Sequence, residues 1–366
     1  MGALRGFLRL LFYISASMPS WPRKTAALLA VCATLSVPPS ASAGDRLVLR
    51  VGHFPNVTHA QAVIGHALAR QGRSWFEERL GPSLTVQWFV YNAGPSAMEG
   101  IFARSIDLAY VGPNPAINAY LRSRGEEVRI VAGACSGGAA LVVQSDDRIK
   151  TDAEFKGRRI GTPQLGNTQD VAARAWLQSR GLRIRLTGGD ALVIPTPNPE
   201  QLALFEKGDL DAVWTIEPWV SRLVLEARGR VYLEESTLWP ACGGKYVTTH
   251  LVSSVRFLRE HPELVKRWIS AQIDLTGWIR QNESEAKRIF NDELKAETGR
   301  ALPREILDRA WGKLELTHDP IQASLLKSAE DAFRVGFLKE APDLSRIYDL
   351  GLLRETLREK RLPEVH

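Results

Sequence analysis

Asparagine, serine and threonine recur in this chain at one kind of place, the turn between a strand pattern and the helix pattern that follows. Asn56 with Thr58, Asn92 with Ser96, Asn114, Asn167 with Thr168 and Gln169, and Asn198 all fall there. Such residues cap helices, and for any one of them capping is explanation enough. Five turns at the same topological position imply more. A helix N-terminus offers free N–H groups and the positive end of its dipole. Several converging termini could hold a sulfonate, phosphate, nitrate or carboxylate group without any Arg or Lys. Aromatic residues flank the same turns: Phe54, Tyr110, Trp214 and Trp219. Tyr110 and Trp214 read equally well as sheet core. Glu217 is the acid of the set. It could accept a ligand amine or pair with Arg222, and Pro218 beside it fixes the turn in favour of the ligand.

The residues that could break bonds are less well placed. Gly133-Ala134-Cys135-Ser136-Gly137 has the spacing of a nucleophile elbow, but that motif opens a helix and here the strand pattern Ala139-Ala140-Leu141-Val142-Val143 follows. Gly243-Gly244-Lys245 lacks the upstream Gly and the Ser or Thr of a phosphate-binding loop, and no GxGxxG follows a strand. His53, His59 and His66 suggest a metal, yet His59 and His66 lie seven residues apart, two turns up one helix, so three convergent ligands are not expected. The reading is of a protein with no catalytic residue, no metal and no cofactor.

The elements that position these turns come as two similar halves. Strand patterns at Leu47–Val51, Val86–Val90 and Ile106–Val111 alternate with helix patterns at 3.6-residue spacing, and the same order restarts at Arg159–Thr162, Ala191–Ile194 and Leu210–Trp214. Pro95, Met98, Ile101, Asp107 and Tyr110 map onto Pro199, Leu202, Phe205, Asp211 and Trp214 at a constant offset of 104. Each half reads as a βαβαβ unit, hence a parallel sheet with helices on both faces, and two such units make two lobes. After the strand Val247–Val252 only helix patterns remain, expected to pack on the first lobe. The predicted division is 44–150 and 246–366 for lobe one and 151–245 for lobe two.

Residues 1–43 read as a secretory signal peptide: Arg23-Lys24, a short apolar run from Ala26 to Val31, and Ala41-Ser42-Ala43 before a cut at Gly44. Met18 to Ala43 alone carries all three regions. Bulky Val31 before Cys32 argues against a lipid anchor. The leader holds four of the 47 Lys and Arg and none of the 41 Asp and Glu, so the remainder carries 43 cations against 41 acids. That near-balance gives no reason to expect nucleic acid or an anionic membrane as partner. Cys135 and Cys242, the cysteines beyond the leader, are too few for a disulfide scaffold. They lie near the two crossovers, where an oxidising compartment would permit a bond between them.

With these residues in place the chain resembles the periplasmic substrate-binding proteins of ABC importers, most of all the aliphatic sulfonate, nitrate and taurine group. The resemblance rests on His53-Phe54-Pro55-Asn56-Val57-Thr58-His59-Ala60, Asn92-Ala93-Gly94-Pro95-Ser96, Gly112-Pro113-Asn114-Pro115-Ala116-Ile117, Gly166-Asn167-Thr168-Gln169-Asp170 and Glu217-Pro218-Trp219, and spans about residues 47 to 355. It implies an α/β, two-lobed periplasmic-binding-protein fold of type II. It also implies a periplasmic monomer that closes on a small anionic solute and delivers it to an ABC permease and ATPase. Within it the candidate ligand residues are Asn56, Thr58, His59, Asn92, Ser96, Asn114, Ser136, Asn167, Thr168, Gln169, Glu217 and Trp219. The thiamine-precursor relatives carry a cysteine cluster that is missing here. The competing reading is an exported enzyme on the same scaffold, using Cys135 or a histidine.

Overall fold

The structure, a computed structural model, describes residues 46–365. The leader, its cut after Ala43 and Cys32 lie outside the described residues. The described strands are β1 (Leu47–His53), β2 (Leu84–Val90), β3 (Leu108–Val111), β4 (Val128–Gly137), β5 (Ala139–Val143), β6 (Arg159–Thr162), β7 (Leu192–Pro195), β8 (Ala212–Ile216), β9 (Arg230–Glu234), β10 (Val247–Ser254) and β11 (Leu314–Leu316). They form a six-stranded sheet, β11-β4-β10-β3-β1-β2, and a five-stranded sheet, β7-β6-β8-β5-β9. In the first, β1 runs parallel between β2 and β3; in the second, β6 runs parallel between β7 and β8. The strands outside these triplets pair antiparallel.

The sequence repeat is thus a structural one, down to single hydrogen bonds. Asp107 N donates to Arg50 O at 2.8 Å and its Oδ2 accepts from Arg50 N at 3.1 Å. Asp211, 104 residues on, repeats the exchange with Arg159 at 2.9 and 2.9 Å.

Around the first sheet pack α1 (Ala60–Arg70), α2 (Trp75–Leu80), α3 (Gly94–Phe102) and α4 (Pro113–Arg122). Around the second pack α5 (Thr168–Ser179), α6 (Asn198–Glu206) and α7 (Trp219–Leu225). After β10 come α8 (Val255–Glu260), α9 (Pro262–Gln281), α10 (Glu283–Thr298), α11 (Arg304–Trp311), α12 (Gln322–Arg334) and α13 (Gly351–Glu359). In α9 the buried residues Val265, Trp268, Ile269, Gln272, Leu275 and Ile279 recur at helical spacing. Trp268 stacks on Phe76 of α2 at 3.8 Å, in the core that α1, α9 and α10 build on the first sheet.

Two features differ from the sequence reading. The chain joins the second sheet at Ala139, not near 150: Gly137 and Gly138 both take left-handed φ angles (84° and 83°), and this turn, which only glycine makes without strain, separates β4 from β5. Periodicity recognises a strand but not the sheet it joins. The C-terminal helices also do more than cover lobe one. Ala332 of α12 and the adjacent Val335 pack on Val171 and Ala175 of α5, and α11 meets α7, so the tail braces one lobe against the other.

Candidate functional site

The turns that follow the parallel strands of both sheets face one another. Between them lies a narrow cavity, walled by the first residues of five helical segments: Asn56 and Thr58 before α1, Ala93 and Gly94 at α3, Gly112 and Pro115 at α4, Asn167, Thr168 and Gln169 at α5, and Asn198 at α6. His59, Phe54, Pro163, Ile216 and Thr248 complete it with Asn92, and no Lys, Arg, Asp or Glu is among the lining residues. A helix leaves its first N–H groups without intrahelical acceptors, so this wall is rich in aimed donors and positive dipole ends.

Capping accounts for little of the pattern. Among these turns the side chain of Asn167 alone caps a helix, accepting from Asp170 N at 3.0 Å; α1, α3, α4 and α6 show no side-chain cap. Thr58 Oγ1 is buried with no hydrogen-bond partner among the described residues. A hydroxyl left so costs about 1–3 kcal/mol, which an acceptor in the cavity would relieve. His59 is buried and its pKa lies well below the usual histidine value, because burial disfavours the cation and His53 adds to the effect. Its Nδ1 accepts from Phe54 N at 3.4 Å, which leaves the proton on Nε2 as a further neutral donor. Thr168 is the first residue of α5, and its Oγ1 would lie 2.5 Å from a Cβ placed on Gly112, so the two lobes are in close contact here.

A second, wider space adjoins the first, sharing Asn56, Asn92, Ala93, Pro163 and Asn198 as walls. It is lined by Pro55, Leu202, Pro218, Trp219, Leu294 and Leu302, with Ser96, Arg222, Glu226 and Arg300 at its polar edges. Trp219 Nε1 donates to Asn56 Oδ1 at 3.3 Å, a hydrogen bond from lobe two to lobe one, and Arg222 lies over its ring at 4.6 Å. The arrangement is a donor-rich inner chamber with an apolar outer one.

Of the twelve candidate residues, Asn56, Thr58, His59, Asn92, Asn167, Thr168 and Gln169 line the inner chamber, and Ser96 and Trp219 the outer. Asn114, Ser136 and Glu217 line neither. Asn114 Nδ2 donates to Ser328 O at 3.1 Å and ties α4 to α12. Ser136 Oγ accepts from Tyr246 N at 3.3 Å, near the return crossover. Glu217 Oε2 accepts from Ser221 N and its Oε1 from Ser221 Oγ, both at 3.0 Å, while Arg222 pairs with Glu226 at 2.8 Å. Burial lifts the Glu217 carboxyl to about 7 against the pull of these bonds. Tyr110 and Trp214 are fully buried sheet core, bonded to Trp268 and Glu235. Cys135 and Cys242 are both free thiols, so the permitted disulfide is not formed, and burial pushes the Cys135 thiol up to about 12, far from a nucleophile's range.

The sequence placed Asn198 among the polar turns but not among the candidate ligand residues, and Gly94, Gly112 and Ile216 were not selected. The repeat could have found them, since Gly94 and Asn198, and Gly112 and Ile216, are pairs at the offset of 104 that line the chamber from opposite lobes. Thr248 comes from the return strand and carried no such signal.

Known proteins share this fold. A Bacillus subtilis protein named for binding aliphatic sulfonates is 23% identical over 304 residues, 82% of this chain and 87% of that one. The taurine-binding periplasmic protein of Escherichia coli K12 is 25% identical over 243 residues, 63% of this chain and 71% of its own length. The solved alkanesulfonate-binding protein of Xanthomonas axonopodis pv. citri, bound to MOPS, superposes with a TM-score of 0.67 at 20% identity, covering 83% of this chain and 98% of that chain. The model of the NMT1-like family matches residues 43–290, and the chain, built of two α/β lobes, belongs to that family.

Proposed function

We propose that this protein is the solute-binding component of an ABC import system. It would be exported by the leader 1–43 and act in the periplasm as a monomer, passing a small organic anion, an aliphatic sulfonate, to a membrane permease and its ATPase. No bond is made or broken in the cleft. In this reading lobe one is residues 44–137 with 247–366 and lobe two is 138–246. The observation that carries it is the unpartnered Thr58 hydroxyl opposite the first turn of α5, in a chamber lined by neutral donors and no ionic side chain. Such a chamber matches a dispersed anion whose several oxygens each accept a hydrogen bond. The adjoining apolar space with Trp219 gives an organic tail a place that nitrate would not use. Taurine's amine is less well served, because Glu217 is engaged by Ser221.

Calorimetric titration with alkanesulfonates of increasing chain length, taurine, nitrate and a thiamine-related base tests the reading. Mass spectrometry of whatever co-purifies adds an independent answer. Alkanesulfonates should bind tightest, with Thr58→Val weakening them. Equal binding of nitrate and a long-chain sulfonate would remove the tail from the argument, and turnover of any of them would favour the enzyme.

A further inference from the structure

Next to the turn that carries Asn56 and Thr58, three residues from distant parts of the chain bring ligand atoms together. His53 ends β1, His66 lies in α1, and Glu297 is in the last turn of α10. His53 Nε2 lies 3.3 Å from His66 Nδ1 and 3.1 Å from Glu297 Oε1, and His66 Nδ1 lies 2.8 Å from that same oxygen. The side chains of His53 and Glu297 are fully buried, and that of His66 nearly so.

The contact of His53 Nδ1 with Phe54 O at 3.4 Å puts that ring's proton on Nδ1, so its Nε2 lone pair faces Glu297 Oε1 at 3.1 Å with no proton between them. A cation among the three atoms turns that repulsion into coordination, because all three then offer lone pairs. The size fits: four ligands about 2.0–2.1 Å from a tetrahedral ion stand roughly 3.3 Å apart.

The surroundings support the same occupant. Glu297 Oε2 is buried without a hydrogen-bond partner among the described residues, and the C-terminal end of α10 favours positive charge. Glu293, 3.2 Å from His66 Nδ1, is engaged by Arg70 Nε at 2.8 Å. Glu297 also borders the outer chamber of the cleft.

We propose that His53, His66 and Glu297 form a binding site for a divalent transition-metal ion, with zinc the choice of two imidazoles and one carboxylate. The fourth position is left to water. The ion braces β1, α1 and α10, and through His53 it steadies the turn from Phe54 to His59. This site stands apart from the choice of solute, and either assignment can fail without the other.

Metal-stripped full-length mature chain titrated with Co²⁺ should take up one equivalent, with the intense visible bands of a four- or five-coordinate ion. One equivalent of Zn²⁺ should displace it and raise the melting temperature. Glu297→Gln, which nearly keeps the shape, and His66→Ala should each weaken Co²⁺ binding by at least about 100-fold. Circular dichroism would show whether each variant keeps its fold. Absence of saturable one-to-one binding by the wild type overturns the proposal whatever the variants do. Unchanged binding by a folded Glu297→Gln overturns it as well, since the ion would then sit elsewhere.

Discussion

In lobe two the turn between β6 and α5 is held by its own residues. Asp170 accepts from Thr162 Oγ1 at 2.8 Å, from Gly166 N at 3.0 Å and from Arg174 Nε at 3.1 Å, and Arg174 goes on to the carbonyls of Arg185 and Val193. Lobe one has the same strand, turn and helix but no such carboxylate in the turn. His53 ends β1 as Thr162 ends β6, and His66 is the seventh residue of α1 as Arg174 is of α5. Between the two histidines stands Glu297, 231 residues from His66. One lobe completes its cleft-facing turn with a local ion pair, the other with a carboxylate from a distant helix. The lobe-two turn is therefore preorganised by a dozen neighbouring residues, while the lobe-one turn depends on α10 and on whatever its histidines hold.

The largest expected effect breaks the lobe-two side. Arg174→Met leaves Asp170 buried without its partner and should lower the unfolding free energy by about 3–5 kcal/mol, measured by urea denaturation. Glu297→Gln in metal-free protein should cost clearly less; an equal loss would mean that both turns are braced by the same kind of bonding. Next comes Glu217, the acid of lobe two that stands where the repeat has Pro113 in lobe one. Its carboxyl is raised from 4.5 to about 7 by burial, against hydrogen bonds from Ser221, with Arg309 lowering it and Glu234 raising it. Between about pH 4.5 and 7 the folded chain holds a proton that the unfolded chain has lost, so stability falls as pH rises through that window and the loss is complete above it. Glu217→Gln should therefore gain on wild type by about 2–3 kcal/mol between pH 5 and pH 8. A difference that stays flat with pH would place that carboxyl in the ordinary range.

The same comparison shows what the sequence could and could not convey. The offset of 104 was legible because Asp107 and Asp211 do the same backbone work in two sheets, and equal local tasks leave equal local patterns. Asn56, Thr58, Asn92, Asn167, Thr168 and Gln169 were legible because a polar turn after a parallel strand faces the cleft wherever the fold is of this class. Asn114 has the same local look, yet its amide is taken by Ser328, 214 residues on, and nothing near it announces that. Glu217 turns to Ser221 one helical turn away, a choice decided by burial. Neighbour spacing argued against a metal because it weighed His59 with His66. The cluster instead joins His66 to His53 and Glu297, which only the packing of α10 on α1 brings together.

Two smaller effects test whether the lobes share one ligand. Thr58→Val and Thr168→Val each remove one hydroxyl and keep the shape. A hydrogen bond to a charged group contributes about 1.5–3 kcal/mol, so each should weaken sulfonate binding roughly 10- to 150-fold by calorimetry. Asn167 keeps the cap of α5, so Thr168→Val should leave stability within about 0.5 kcal/mol of wild type. Earlier melting with untouched binding would reduce Thr168 to a structural residue and take lobe two's turn out of the site. The smallest effect belongs to Gly112→Ala. Its φ of −69° suits alanine, so the backbone is not strained, but the new methyl would meet Thr168 Oγ1 at 2.5 Å. The hydroxyl can rotate away or the lobes can part slightly, which places the loss near the low end of overpacking, about 1 kcal/mol or less than tenfold in affinity. In a Thr168→Ala background the obstacle is gone and the alanine should be nearly silent. A double-mutant cycle reads that coupling directly. If Gly112→Ala costs the same in both backgrounds, the two turns do not meet when the ligand binds, and the contact between β3's turn and α5 belongs to the packing of the lobes alone.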